Sequence, residues 1–431
     1  MDTRFSARRR EIEQDAKIAE GSLSGANGRV ETFFRPFGES LPRSETRENA
    51  LVFLRGLLSD LQRKNTESIA YRFGRKRDAL QSFIGESPWD HKPLLLELAK
   101  QTAKQIGEDD GILVFDPSGF EKDGKKSAGV ARQWLGRFGH LPCRRWSYRS
   151  VAATRSRWSL RRTSKTMFLA YVTRQEFALV NAKLFIPQEW NDDPARCKRA
   201  RIPKEEYEQH KTRHEQCLEM LDEQGELLPH EWIGGDDELG KSSWFRWELR
   251  ERDEQYCLAV PSDTNVRDLD NVPEYSGHGR LPKGPFVRVD HLREQLDAKD
   301  WMEIDVRDGE KHPLTMKLAV LHVMAKTERG KYGSGDSEWL IVAERPAGKS
   351  VKHDYYLSNA KDGTTYEEFA RVIVGSHRVE DGFRRAKGEC GLADYEVQSW
   401  TGWHHHVTLC LLATFFLTKE TMRGKKKARH R

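Results

Sequence analysis

At 431 residues the chain is long enough for two or three domains, and 73 Lys and Arg against 67 Asp and Glu leave a net charge of only +6, so the local distribution of charge is what informs. The six cysteines (Cys143, Cys197, Cys217, Cys257, Cys390, Cys410) are scattered without a C-x₂-C pair. That excludes a zinc ribbon and a disulfide framework and fits reduced thiols in a cytoplasmic protein. The charged start (Arg4, Arg8, Arg9, Arg10, Glu11, Glu13) is no signal peptide, and the longest apolar run, Val407 to Leu417, is too short to span a bilayer.

Residues 1–39 are polar at first, with Gly21, Gly25 and Gly28, and are expected to be flexible. From Ser44 the pattern is helical, with Leu51, Leu54, Leu57, Leu58 and Leu61 at three- and four-residue spacing. A further helix opens at Ser87-Pro88-Trp89-Asp90 and carries Leu94, Leu95, Leu98 and Ala99 on one side. Residues 40–105 thus read as a helical domain. Its interleaved cations (Arg55, Arg63, Lys64, Arg72, Arg75, Lys76, Arg77) suit either a DNA-binding face or the solvated side of a bundle.

The stretch Gly111-Ile112-Leu113-Val114-Phe115-Asp116-Pro117-Ser118-Gly119 is a short apolar run ending in one carboxylate and a turn. It reads as a buried strand with Asp116 where the sheet opens, a usual place for a site in an α/β sheet. Alternatively, Asp116 only accepts turn hydrogen bonds. Leu141 to Lys165 holds eight Lys or Arg and neither acid nor glycine, and keeps no clear period. Phe168 to Val172 and Ala178 to Ile186 read as strands from their aromatic and β-branched content.

Pro203 to Leu221 reads as a helix, with His210 and His214 at i, i+4. Zinc can use that spacing, but a packed helix face accounts for it without further ligands. Next, Glu231-Trp232-Ile233-Gly234-Gly235-Asp236 ends a strand in a cluster of acids. A helix (Ser242 to Arg250) and a strand (Tyr256 to Val260) close a first α/β part spanning 106–260.

Residues 261–360 alternate Gly, Pro and strand-like runs (Phe286 to Val289, Met302 to Val306, Met316 to Met324, Trp339 to Ala343, Tyr355 to Leu357) and read as a β-rich insertion. A second core part, 361–420, begins with one long helix in which Phe369, Val372, Ile373, Ser376, Val379, Glu380, Phe383, Arg384 and Lys387 keep helical spacing until Gly388 and Gly391. A last apolar helix runs from Trp400 to Lys419. Residues 421–431 form a basic tail, suited to a polyanion or simply solvated.

Three acids stand apart: Asp116 and Asp236 at strand ends and Glu380 in a helix. Carboxylate oxygens are the ligands Mg²⁺ prefers, and two such ions about 4 Å apart serve phosphodiester cleavage. Asp237 and Glu238 rival Asp236. Arg384 and Lys387 share the helical face of Glu380, either to hold a phosphate or, for Arg384, as an ordinary i, i+4 partner.

The ordered set Val114-Phe115-Asp116, Gly235-Asp236-Asp237-Glu238-Leu239-Gly240, Arg378-Val379-Glu380 with Lys387 seven positions on, Gly391-Leu392, Tyr395 and Trp403-His404-His405-His406 resembles the DDE transposases of bacterial insertion sequences, of the kind with a β-rich insertion and an E-x₆-K spacing. The likeness covers roughly residues 45 to 420. It implies a mixed α/β, ribonuclease-H-like core behind a helical N-terminal domain, with Asp116, Asp236 and Glu380 holding two Mg²⁺ ions, for which Mn²⁺ can substitute. It implies double-stranded DNA as partner, Lys387, Arg378 and Arg384 on its phosphates, a homodimer on DNA, and work on the nucleoid in the cytoplasm. It implies nicking at the element's ends followed by attack of the freed 3′ hydroxyl, and it makes Trp301 and Trp339 candidates for stacking on a flipped base.

Two departures are visible. The family's Tyr and Arg before the Glu are not at their spacing, where Ser376 and Arg378 stand instead. Leu141 to Lys165 also falls where the second core strand should lead into the third, and looks like foreign sequence left by a frameshift or a small insertion. Loss of a central strand would misplace Asp116 relative to Asp236, and about 1 Å of error already costs catalysis heavily. The alternative to an enzyme is therefore a catalytically decayed relative that still occupies DNA.

Overall fold

The structure is a computed structural model describing residues 25–122, 124–133, 161–271, 283–307, 314–327, 337–347 and 350–429. Five helices open it: α1 (Ala26–Glu39), α2 (Ser44–Leu57), α3 (Thr66–Arg72), α4 (Arg77–Gly85) and α5 (Lys92–Ile106). The first corrects the expectation of a flexible start over 26–39. Val30, Phe33, Phe34 and Phe37 recur at helical spacing and are all buried, and Phe33 meets Phe415 and Phe416 near the other end of the chain.

The sheet begins with β1 (Ile112–Glu121), β2 (Ala131–Gln133), β3 (Arg161–Val172) and β4 (Phe177–Leu184). Strand β1 does not stop at a Pro-Ser-Gly turn. It pairs antiparallel with β3 from Ile112↔Val172 to Glu121↔Thr163, whereas its parallel pairing ends at Phe115↔Gly235. From Asp116 onward β1 therefore has one neighbour fewer, the situation in which a proline without an N–H is tolerated in a strand. Strand β3, whose first five residues belong to the odd basic stretch, is clamped between β1 and β4. Residues 141–160 of that stretch lie outside those described.

Short helices α6 (Gln188–Asn191) and α7 (Pro194–Arg199) lead to α8 (Arg213–Gln224). The helix expected from Pro203 begins only at Arg213, because Thr212 and Glu215 form a capping box there. His210 therefore lies before the helix and shares no face with His214. Then come β5 (Trp232–Gly235), α9 (Asp237–Lys241), α10 (Ser243–Glu251) and β6 (Tyr256–Val260). The continuous apolar runs of β1, β5 and β6 suit parallel strands covered on both faces.

The β-rich segment supplies β7 (Asn265–Asp268), β8 (Val287–Arg288), α11 (Val289–Arg293), β9 (Met302–Arg307), β10 (Leu314–Ala325), β11 (Ser337–Ala347) and β12 (Ser350–Ser358). Rather than standing apart, it continues the sheet: β12 pairs antiparallel with β6. The order is β2-β3-β1-β5-β6-β12-β11-β10-β7-β8, with β4 on β3 and β9 on β10. Along β11, Ile341 and Ala343 enter the main core, while Leu340 and Val342 enter a second cluster on the opposite face.

The final region holds α12 (Tyr366–His377), α13 (Val379–Glu389) and α14 (Trp400–Arg429). The single long helix expected here is two. Arg378 separates them, its guanidinium donating to the carbonyls of Thr173, Arg174 and Gln175 at 2.9, 2.8 and 2.5 Å. Ser376 meanwhile returns its hydroxyl to the Val372 carbonyl at 3.0 Å, a contact that bends helices. Helix α14 packs among the N-terminal helices: His405 stacks on Trp89 with ring centres 3.6 Å apart. Lys64, expected on a basic face, is buried and donates to the carbonyls of Leu57, Ser59 and Glu389 at 2.6–2.7 Å.

Candidate active site

The site forms where the parallel pairing stops. Phe115↔Gly235 is the last β1–β5 pair, so Asp116 and Asp236 are the next residues on neighbouring parallel strands, which lie about 4.8 Å apart. Asp116 shares a sheet face with Ser118 and Phe120, and with Phe168 opposite it on β3. Helix α13 covers that face, Phe383 meeting Phe168 at 4.9 Å between ring centres. Glu380 lies one turn before Phe383, and Lys387 one turn after it, its ammonium 5.2 Å from the Phe120 ring.

The electrostatics tie these groups together. Burial, and then the charges of Asp236 and Glu380, push the Asp116 carboxyl well above the ordinary range, against an opposing pull from Lys387. Burial raises Asp236 to about 6, while the Leu239 N–H it accepts at 3.1 Å pulls the other way. Burial also lowers the Lys387 ammonium, with Asp116 opposing. Asp116, Asp236, Glu380 and Lys387 are thus within electrostatic reach of one another. Among the described residues, however, no three His, Cys, Asp or Glu side chains are gathered into a group able to hold a metal ion. Glu380 is exposed in the first turn of α13.

Two expected phosphate contacts are placed otherwise. Arg378 is engaged by the β3–β4 turn, and Arg384 pairs with Asp381 at 2.6 Å rather than with Glu380. The rivals of Asp236 are both exposed, and Glu238 is bonded to Arg213. The histidines of Trp403-His404-His405-His406 are buried and neutral, burial holding His405 and His406 near 4; His406 Nε2 meets the Gly391 carbonyl at 3.0 Å. Trp339 donates to the Ala360 carbonyl at 3.0 Å, and Trp301 packs on the second cluster, so neither is free for a base without moving.

Sequence reasoning passed over Lys165. This half-buried lysine lies opposite Gly119 on β1 and takes the Phe185 N–H on its backbone carbonyl at 2.9 Å, while its ammonium sits within the fields of Asp236, Glu238 and Arg213. Burial lowers its ammonium first of all. The signal was one lysine at the end of a run of arginines, indistinguishable by composition from its neighbours.

A family model described as DDE superfamily endonuclease matches residues 36–313. No curated protein matches the chain. Among solved structures, the piggyBac transposase synaptic complex with hairpin DNA aligns over 89% of this chain and 67% of that one, at 11% identity and a TM-score of 0.39.

Proposed function

Because the chain belongs to the DDE superfamily endonucleases, we propose that it is a transposase that cuts double-stranded DNA at the ends of a bacterial insertion sequence and joins them to a target, with Asp116, Asp236 and Glu380 as its carboxylates. The observation that carries this reading is that Asp116 and Asp236 directly follow the last pair of two parallel strands, with the helix of Glu380 packed on the same face. Among the described residues, the acids whose charges press on Asp116 are Asp236 and Glu380. The strand order β4-β3-β1-β5-β6, antiparallel up to β1 and parallel beyond, supports a ribonuclease-H-like core.

The donor set fits a hard divalent cation. Oxygen ligands are what such a cation prefers, and Asp116 and Asp236 sit in a partly buried place where, left alone, they are driven towards protonation. Asp116, Asp236 and Glu380 would hold Mg²⁺, or Mn²⁺ in its stead, which when bound polarises the phosphate and stabilises the leaving oxygen. Lys387, beside Asp116, holds the scissile phosphate against the carboxylates. Water attacks phosphorus and the P–O3′ bond breaks, leaving a 3′ hydroxyl and a 5′ phosphate. The 3′ hydroxyl then attacks a target phosphodiester in the same way. Two copies of the chain would pair the two ends.

Cleavage of element-end DNA should require Mg²⁺ or Mn²⁺, and Asp116→Ala, Asp236→Ala and Glu380→Ala should each abolish it while DNA binding persists. Cleavage that survives Glu380→Ala removes that residue from the site. A second reading, a decayed relative that binds DNA without cutting, is favoured by the exposed Glu380 and by the absence of a gathered ligand group among the described residues. It predicts binding with no cleavage by the unaltered protein in either metal.

A further inference from the structure

A cleft of about 900 Å³ lies away from the carboxylates, between the end of α4, the segment after β1, the end of α7 and the start of α14. Lys125, Lys126, Arg196, Arg199 and Arg201 line it. Its two acids are spoken for: Glu86 faces Arg201 at 3.5 Å, and Asp78 faces Arg77 at 3.4 Å. Arg196 is fixed over the Trp190 ring at 3.7 Å and donates to the Val130 carbonyl at 3.0 Å. Lys125, Lys126 and Arg199 are exposed and make no ion pair among the described residues. The helical segment 40–105 is different. There Arg72 meets Asp60, Arg55 meets Glu31, and Arg75 meets Glu48, so much of that face is already neutralised.

The floor of the cleft is built and braced. Gly85, the last residue of α4, accepts from both Arg201 and Ser399 at 3.2 Å, and the Trp400 N–H donates to the Ala200 carbonyl at 2.8 Å. Arg201 holds a left-handed backbone (φ 55°), a conformation that a non-glycine residue keeps only where its surroundings enforce it. Among the described residues, no aromatic side chain lines the cleft. That argues against a single strand, whose bases are held by stacking, and for a duplex held by its backbone. Gln81, Ser82, Gln398 and Ser399 supply neutral hydrogen-bonding groups for the same purpose.

The chain itself links the cleft to the carboxylates. Strand β1 carries Asp116 and runs on to Glu121, about 17 Å at 3.4 Å per residue, and Lys122 just beyond donates to the Tyr395 carbonyl at 3.0 Å. Lys125 and Lys126 follow. About 17 Å is half a helical turn of B-DNA.

We propose that this cleft is a docking site for the phosphate backbone of duplex DNA, holding through Lys125, Lys126 and Arg199 the flank of a duplex whose scissile phosphate lies at Asp116. It rests on the endonuclease reading for its geometry but not for its test. Binding of a labelled duplex of arbitrary sequence to the full chain is measured across a range of KCl. In the variant Lys125→Ala/Lys126→Ala/Arg199→Ala the slope of log K against log salt should fall by two to three, near one for each lost contact, with affinity reduced at least tenfold at low salt. The residues are exposed, so an unchanged melting temperature should accompany the loss. Cleavage at saturating DNA should persist. Unaltered affinity and slope in the variant overturn the site even if Asp116→Ala abolishes cleavage. Conversely, cleavage surviving Asp116→Ala ends the catalytic reading while leaving the slope result standing. A single strand of equal length that competes as well as the duplex overturns the assignment to duplex DNA.

Discussion

Asp236 has two occupations that chemistry can separate. Its side chain caps α9 by accepting from Leu239, and its charge presses on Asp116. Asparagine caps a helix as well as aspartate does but carries no charge. Asp236→Asn should therefore keep stability and lose cleavage, whereas Asp236→Ala should lose cleavage and about 1 kcal/mol as well, read by urea denaturation alongside a nicking assay. The pH dependence follows from the same group. Its folded pKa of about 6 lies above the unfolded value of 3.8, so the folded state holds the proton more firmly. That contribution is whole below about pH 4 and is lost as pH rises through about 6, at no more than about 1.4 kcal/mol per pH unit in between. In metal-free buffer, the stability of Asp236→Asn relative to the unaltered protein should rise over that interval. Adding Mn²⁺ at neutral pH should raise the melting temperature of the unaltered protein and leave that of Asp236→Asn unmoved. The meeting of Asp116 and Asp236 was legible because each ends an apolar run at the mouth of a sheet. Lys165 was not, because its setting depends on what its strand partner lacks: Gly119 offers no side chain.

At the scale of elements, strands were read well where four or more apolar residues ran together, and helix ends were read poorly. The spacing of Phe369, Val372, Ile373, Val379 and Phe383 runs through the α12–α13 junction without a flaw, since both halves bury the same face. What breaks the helix is distant in sequence: three carbonyls of the β3–β4 turn that claim Arg378. Arg378→Ala should cost about 1–2 kcal/mol in chemical denaturation, because a charged donor is lost but two of its three acceptors, the Arg174 and Gln175 carbonyls, are exposed to water. Arg384→Ala, which breaks only an exposed pair with Asp381, should stay within about 0.5 kcal/mol. Close approach sets another limit. A Cβ on Gly240 would lie 2.0 Å from the Ala259 carbonyl oxygen, so Gly240→Ala must push α9 off β6 and should weaken cleavage by moving Asp236.

For the molecule as a whole, the order of segments was legible, but their separateness was not. The region read as an insertion is stitched to the first half by a buried group. Glu338 on β11 takes Arg246 Nε at 2.8 Å and the Tyr256 hydroxyl at 2.6 Å, while Arg246 also reaches the Gly240 carbonyl. Glu338→Ala would leave a buried guanidinium without its counter-charge and should cost about 3–5 kcal/mol, seen as an early midpoint in urea. Nothing in the sequence marked Glu338, because an acid inside a strand pattern looks like an outward-facing residue until its neighbours are known.

Strand β6 is hydrogen-bonded on one side to β5, which precedes it, and on the other to β12, almost a hundred residues downstream. A gene truncated after residue 260 would therefore make a polypeptide with an open, unprotected backbone beside Asp236 and an invitation to stick to its own kind. On the ribosome, the same geometry keeps that edge waiting until β12 has emerged. Gene fragments cut at the seam suggested by composition should accumulate as aggregates rather than as smaller working proteins.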